Sequence, residues 1–565
     1  MYLLRLRKCR PLPARAMNKS AASRLAFALA LAFPFAPAGE ASSATGPPSR
    51  KHDASDEFFN SGFIPHIRIE ISKTNVNALR RDERAYVRCM VREGSNVWNE
   101  VGIHIKGAAG SKRDFNDRPA LSLNFDKFVD HQKFHGLDKF HLNNSVQDNS
   151  LLCEAVCAKL FLEAGVPASR VSHARVELNG RDLGMYVLKE GFDRTFLKRH
   201  FKNPNGNLYD GGFLHDIDSG LQKTAGTGDV KNQADLKALA AAAKDPDPAS
   251  RFSRLEKLLD LDRFLDFIAL EIMVWHWDGY YMKRNNYRVY HDPDSGKVHF
   301  FPHGMDQMFW SPTGPIFPNE HDGLVSSALI DTPEGRLRFR QHMTVLLTNV
   351  FTAEKLTNHI ALLQSRLQPA LQGISAEAAR NQANEAVKIR NAILGRVKYL
   401  DRVLNQPPPK PIRFDDGIAV LNKWEIPETV NSTGATFDRP TGSDGHKTLH
   451  IVVEKPGERC IGSWRTRVML DAGRYVLEGR ARTAGVTPLK TDTTPPKGIG
   501  AGLRLSRPMP PEQRKNQLTG DAGWTKLEYE FTVSAGPDEK ELICELRALA
   551  GEAWFDLESL KLRKR

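Results

Sequence analysis

The sequence predicts an α+β region over residues 58–405, followed by an all-β sandwich over residues 413–565. Three observations carry this expectation. Alternating apolar runs recur between residues 63 and 190 with one helix-like stretch among them, and a long helical stretch follows. The segment Gln406-Pro407-Pro408-Pro409-Lys410-Pro411 then interrupts the helices, so residues 406–412 read as a stiff Pro-rich linker. Beyond it the chain turns to short alternating runs punctuated by Gly, Pro and Asp.

Taken in order, the chain begins with basic residues (Arg5, Arg7, Lys8, Arg10, Arg15, Lys19, Arg24) ahead of the apolar run Leu25 to Phe35. Ala36-Pro37-Ala38 or Ser42-Ser43-Ala44 reads as a cleavage site, so residues 1–44 are expected to be a signal peptide. A start at Met17 gives a more usual signal length. The run contains Pro34 and is too short to span a bilayer securely, and no other segment is long enough. The expectation is an exported protein in the periplasm, at the cell surface or outside, with no stable membrane span after cleavage; an uncleaved anchor is the alternative. Residues 45–57 are polar and read as a linker.

Strands are predicted at Phe63–Ile71, Ala85–Val91, Val101–Lys106, Ala120–Phe125 and Phe140–Leu142. Apolar positions Leu151, Leu152, Ala155, Val156, Leu160 and Phe161 predict a helix over Ser150–Ala164, ended by Gly165 and Pro167. Strands Val171–Leu178 and Gly184–Glu190 flank the turn Asn179-Gly180, completing a mixed sheet. Residues 214–250 are less regular, with an Ala-rich helix near Leu236–Lys244 and a break at Asp245-Pro246-Asp247-Pro248. From Leu255 to about Leu404 the chain reads as mostly helical. The sandwich strands are predicted at His450–Val453, Arg474–Arg482, Gly500–Leu505, Thr525–Val533, Glu541–Leu549 and Trp554–Leu562.

At 565 residues the chain exceeds one core. Its net charge of +13 favours anionic partners, but Lys and Arg are scattered and no nucleic-acid motif is present, so nucleic acid is not an expected partner. Of six cysteines, Cys9 leaves with the signal, and Cys153 and Cys157 sit on a helix-like run as core residues. Cys460 and Cys544 are the two that an oxidising compartment could join; the sequence does not decide.

The chemistry concentrates between Trp275 and Phe309. Asp278 follows the apolar run Leu261 to Trp275, and Asn285 and Asn286 open a strand-like run that turns at Asp292-Pro293-Asp294-Ser295-Gly296. A second strand, Lys297 to Phe301, delivers Asp306. An acid, an amide and a second acid thus meet at one end of a hairpin. That is the layout a phosphoryl-transfer site needs, with one carboxylate to orient a hydroxyl and an Asn and an Asp to hold a metal on the phosphates. Asp292 and Asp294 read as a plain hairpin turn rather than a calcium loop, and Asp216 and Asp218 as a surface pair. His276 and His303 shape the pocket rather than ligate a metal.

These residues resemble the CotH kinases, the spore-coat protein H family of atypical protein kinases. Upstream stretches agree: Val101 to Gly107, Phe134 to Lys139 leading to Leu142-Asn143-Asn144, Gly165 to Ala168, Asn179 to Glu190, and Gly206 to Tyr209. The resemblance covers roughly residues 58–405. It implies an atypical protein-kinase-like two-lobed domain that uses ATP with Mg²⁺, or Mn²⁺, to phosphorylate Ser or Thr of a surface or secreted protein. Asp278 would be the catalytic acid–base, and Asp306 and Asn286 the metal ligands, with Asn285 close behind Asn286. Lys106, paired with Glu154, would meet the phosphates, with Lys127 a rival; the turn of Gly107, Gly110 and Ser111 would cover them, and Glu190 would border the adenine. The family pattern has a second Asp where this chain has Gly304. The C-terminal region resembles the jelly-roll carbohydrate-binding modules, notably in Trp524 to Glu528 and Ala553 to Leu562. That implies a glycan or protein ligand for the sandwich. The rival reading is a non-catalytic kinase-like surface or matrix scaffold with such a sandwich; nucleotide transfer is a third.

Overall fold

The computed structural model describes residues 54–565 apart from 109, 228, 230, 319–320, 408–409, 427–433, 442–444, 490–498, 507–515 and 534–536. The expected signal peptide and Cys9 lie outside the described residues. The described chain opens on helix α1 (Ala54–Ser61). The sequence reading ran a linker to residue 57, but this turn is helical because Phe58 buries itself against Phe134 and His135.

Seven strands follow: β1 (His66–Glu70), β2 (Val87–Glu93), β3 (Asn96–Lys106), β4 (Ala120–Asn124), β5 (Lys139–Asn143), β6 (Val171–Leu178) and β7 (Arg181–Glu190). Each predicted run from Phe63 to Glu190 overlaps one of them, with β2, β3, β5 and β7 extending beyond the predicted bounds. They do not stay an open sheet: β1 pairs antiparallel with β2 and parallel with β6, which closes the order β1-β2-β3-β4-β5-β7-β6 into a barrel. Closure buries alternate residues, among them Ile103, Leu121, Leu123, Phe140, Leu142 and Leu188, in one core. Helix α2 (Lys73–Arg81), missed in the sequence, carries only Val76 and Leu79 inward and is capped by Ser72. Helix α3 (Cys153–Glu163) lies where predicted, its N-terminus bonded by Asp148, whose carboxylate accepts from Cys153 N at 2.9 Å.

After α4 (Arg194–His200) come β8 (Asn207–Asp210) and β9 (Gln222–Ala225), then α5 (Ala234–Ala243), α6 (Pro248–Leu258), α7 (Leu261–Met273) and α8 (Tyr280–Lys283). The hairpin β10 (Tyr287–His291) and β11 (Val298–Pro302) joins β8 and β9 in a four-stranded sheet of order β11-β10-β8-β9. Its turn is closed by Asp292, which accepts from Asp294 N at 3.2 Å and Ser295 Oγ at 2.7 Å. Helices α9 (Leu324–Ile330), α10 (Pro333–Asn349), α11 (Ala353–Gln372) and α12 (Ala376–Leu404) complete this part. Helices α3 and α5 to α12 share a single large core, while Phe196 and Leu197 of α4 pack with Tyr290 and Phe301 of the hairpin. No helix among the described residues is long and apolar enough to cross a membrane.

The C-terminal part is antiparallel throughout: β12 (Ile418–Val420), β13 (Ala435–Asp438), β14 (Thr448–Val453), β15 (Cys460–Leu470), β16 (Gly473–Pro488), β17 (Gly500–Leu505), β18 (Gly520–Val533), β19 (Asp538–Asp556) and β20 (Lys561–Lys564). These strands enclose a separate core. Strand β15 escaped the sequence reading because Arg465 and Arg467 break its apolar alternation. Cys460 and Cys544 are both free thiols. In the β15–β19 ladder Cys544 opposes Trp464 while Cys460 opposes Ala548, about 14 Å apart along the strands at ~3.4 Å per residue. The closing run holds Trp554 between its strand neighbours, stacked on His450 at 4.5 Å and under the Arg482 guanidinium at 4.3 Å.

Burial of His173, whose Nε2 donates to the Leu151 carbonyl at 2.7 Å, holds its pKa down at about 4. Between that value and the ordinary ~6.5 the unfolded chain binds the proton that the folded chain refuses, so stability rises with pH across this window. Acidification from pH 7 to 5 is therefore expected to lower the urea midpoint, with up to about 1.4 kcal/mol lost per pH unit at this site. His173→Gln should flatten that slope, measured as unfolding midpoints at the two pH values.

Candidate phosphoryl-transfer cleft

One wall of the candidate site is the outward face of the barrel. Strand residues alternate sides, so where Ile103, Leu121, Phe140 and Leu188 go inward, their neighbours go out. His104 and Lys106 on β3, Ala120 and Ser122 on β4, Lys139, His141 and Asn143 on β5, and Val187 on β7 line a cleft of about 800 Å³. Lys106 donates to Asn143 Oδ1 at 2.6 Å. Burial, helped by the Lys189 charge, lowers its pKa to about 8. With Lys139, Arg288 and Lys283 the cleft is rich in cations, as a polyanion requires.

The opposite wall is the open end of the hairpin. His303 N donates to the Asn286 carbonyl at 2.9 Å, which sets Asn286 beside the segment carrying Gly304 and Asp306. Asp278 reaches the same place from the end of α7, through the turn Trp275-His276-Trp277. Its carboxylate accepts from Asn285 Nδ2 and Asn286 Nδ2, both at 2.9 Å. Two left-handed residues, Arg284 (φ 54) and Asn286 (φ 52), bend the chain back to allow this. Asp278, Asn285, Asn286 and Asp306 all line the cleft, facing Lys106.

Two buried groups hold this wall. Glu271 on α7 accepts from Tyr280 N at 3.0 Å and Tyr281 N at 2.8 Å, satisfying the start of α8 just after Asp278. Gly279 permits it, since a Cβ there would lie 2.5 Å from Glu271 Oε1. Arg396 on α12 caps the C-terminal end of α7 by donating to Ile272 O at 2.7 Å and Met273 O at 3.1 Å.

Several sequence expectations need correction. Glu154 does not pair with Lys106. Its carboxylate accepts from Lys189 Nζ at 2.8 Å and from Met305 N at 2.9 Å, with Lys189 and Glu154 both buried. The cross-strand register explains the exchange. Lys189 stands opposite His141 and so shares the cleft-side face, whereas Glu190 stands opposite the core residue Phe140. Glu190 is accordingly absent from the cleft lining and is bonded by Arg170 and Arg199. Gly107 and Ser111 line the cleft, but the Ser111 N–H is spent on Ala108 O, and Ser111 Oγ accepts from Ala108 N. Lys127 lies over the Tyr86 ring, away from the cleft lining. Asp216 is buried rather than superficial: it accepts from Leu324 N and the Tyr280 hydroxyl, while Asp218 pairs with Lys244. Lys189, Asp148, Lys139 and Arg288 were missed. Strand parity from His141 could have found Lys189 and Lys139; nothing local marks the others.

No three His, Cys, Asp or Glu side chains among the described residues converge as a metal cage. A divalent ion on phosphates needs fewer protein donors, because magnesium keeps several waters. Asp306 fits such a role: it lines the cleft, no side-chain donor is bonded to it among the described residues, and burial beside Glu154 and Asp148 pushes its carboxyl up to about 7. Asn286 spends its amide N–H on Asp278 and keeps its oxygen, which is directed toward Gly304. The donors fit a hard cation.

Gly304 is in the left-handed region (φ 58), and a Cβ there would lie 2.4 Å from Asn286 Oδ1. Gly304→Asp is expected to cost about 1–3 kcal/mol of stability, and Gly304→Ala as much, by thermal unfolding. Equal midpoints for all three proteins would contradict this. Likewise Glu154→Ala, which strands Lys189 in the interior, should cost about 3–5 kcal/mol in urea titration.

The family model for CotH kinase protein matches residues 103–400. Invasin CotH2 of Rhizopus delemar is 24% identical over 265 residues, which are 41% of this chain and 44% of the invasin. The inner spore coat protein H of Bacillus subtilis is 21% identical over 268 residues, 43% of this chain and 71% of that protein. The chain thus spans less than half the length of the invasin it matches. Among solved structures, the Helicobacter pylori proinflammatory kinase CtkA is 8% identical, covers 53% of this chain and 97% of its own, and gives a TM-score of 0.24.

Proposed function

This chain belongs to the CotH kinase protein family, and from that premise we propose that it is an exported, two-lobed atypical protein kinase that transfers the γ-phosphate of ATP to Ser or Thr of a surface or secreted protein. One observation supports this above the rest: Asp278, Asn286 and Asp306 line a single cleft facing Lys106 and its neighbouring cations.

The roles follow from the bonding. Asn285 and Asn286 hold the Asp278 carboxylate by both oxygens, so it is fixed to accept the hydrogen of an incoming hydroxyl and to raise that oxygen's nucleophilicity. Lys106, Lys139 and Arg288 present positive charge to the phosphates, and the partly desolvated setting strengthens that attraction. Asp306 and the Asn286 oxygen would hold magnesium or manganese, which when bound neutralises phosphate charge. Glu154 positions this site by tying the Met305 backbone, one residue before Asp306, to helix α3. For the C-terminal β region we read a glycan or protein ligand; the Trp554 ring is not a sugar platform, because His450 and Arg482 flank it.

With purified protein, Mg-ATP and a mixed Ser/Thr acceptor set, Asp278→Asn is expected to lower phosphate transfer by about 10²–10⁴-fold while nucleotide binding persists. Asp306→Ala is expected to abolish metal-dependent nucleotide binding. A wild-type protein that neither binds ATP with metal nor transfers phosphate would refute the kinase reading. Mass spectrometry of the acceptor separates phosphate from nucleotide transfer.

A further inference from the structure

A second cavity, of about 720 Å³, lies next to the cleft and has a different chemistry. Its floor is apolar, with Leu151, Leu183 and Met185 from the barrel side and Leu371 and Ile374 from the end of α11 and the turn after it. Its other side is one face of α12. Ala378, Asn381, Gln382, Glu385 and Lys388 recur at spacings of three and four and therefore share that face. Asn149, Asn381 and Asn384 add three amide side chains, all exposed at the rim.

Three charged side chains, Arg118, Glu385 and Lys388, line it. Lys388 pairs with Glu385 at 2.7 Å, and Arg118 donates to the Met185 carbonyl. Beside these charges a ligand meets uncharged amides above an apolar floor. Phosphate would meet only Arg118 and the Glu385-paired Lys388 here, whereas the neighbouring cleft presents Lys106, Lys139, Lys283 and Arg288. Planar amides match the C=O and N–H groups of an extended peptide, and the floor suits an apolar side chain.

The two recesses adjoin at Ser145, which lines both; Asn144, Gln147 and Asp148 line the cleft, and Asn149 and Leu151 line the second cavity. That segment is fixed: Asp148 accepts from Ser150 N at 3.0 Å, and Gln382 on α12 donates to Ser150 O at 2.7 Å. A chain lying in the second cavity would make its nearest approach to the cleft at Ser145.

We propose that this second cavity is a docking subsite for a polypeptide acceptor, holding a segment several residues away from the Ser or Thr presented in the cleft; the proposal rests on the kinase reading above. It makes an extended polypeptide, rather than a small molecule, the substrate class. Asn381→Arg and, independently, Asn384→Arg put a bulky cation into the cavity at exposed helix positions where arginine is the better helix former. The full chain and both variants are given Mg-ATP with two degenerate Ser/Thr peptide mixtures, of about fifteen and about three residues. At ~3.3 Å per residue the shorter one reaches only about 10 Å and cannot fill both recesses. The expected result is a KM for the long mixture raised about tenfold or more in each variant, with kcat, Mg-ATP affinity and the KM for the short mixture unchanged. An unchanged KM for the long mixture, or an equal rise for both mixtures, overturns the proposal. If the wild type transfers phosphate to neither mixture, the kinase reading fails on its own, and docking is judged by fluorescence anisotropy of the labelled long mixture. Binding that both variants lose sustains the subsite; binding that is absent in the wild type or undiminished in the variants overturns it.

Discussion

The pair formed by Lys189 and Glu154 is the constraint on which the candidate site depends. It joins three pieces far apart in sequence: strand β7 of the barrel, helix α3, and, through Met305 N, the segment that carries Asp306. Two buried charges are costly to desolvate, and their attraction repays that only when the remaining donors and acceptors are satisfied. Here the second carboxylate oxygen is met by a backbone N–H, so the pair fixes a loop as well as neutralising itself. A hydrophobic replacement could match its stability but would leave Asp306 without an anchor.

The other acid is governed by different physics. Asp278 sits on a turn between two helices, and helix ends leave backbone groups unsatisfied. Glu271 takes the N–H groups that start α8, and Arg396 takes carbonyls that end α7. The turn is thus clamped from both sides by interior side chains that never enter the cleft. Burial pushes the Glu271 carboxyl up to about 8, a sign of how little water reaches this clamp. Precision at Asp278 is produced by residues with no chemical role of their own.

Much of this was legible in the chain. The alternation of apolar residues located all seven barrel strands, because a strand with one buried face must alternate. The meeting of Asp278, Asn286 and Asp306 followed from hairpin geometry, since the two ends of a two-stranded ribbon are neighbours whatever surrounds them. Partner choice was not legible. Lys106 and Lys189 are both strand lysines, and Glu154 pairs with the one that a register across four strands brings to it. Barrel closure was equally hidden, because the parallel pairing of β1 with β6 joins segments about a hundred residues apart with no local signal. Helix α2 and strand β15 were missed because charged side chains mask a short apolar stripe.

Closure of the barrel also decides how this half of the molecule can recognise another chain. An open sheet offers a row of unsatisfied N–H and C=O groups, and many proteins capture extended segments by adding them there as one more strand. A cylinder whose first strand is bonded on both sides offers no such row. Selectivity on the barrel side must then be written in side chains alone, so the range of partners can drift by surface substitution while the hydrogen-bonded frame beneath stays untouched.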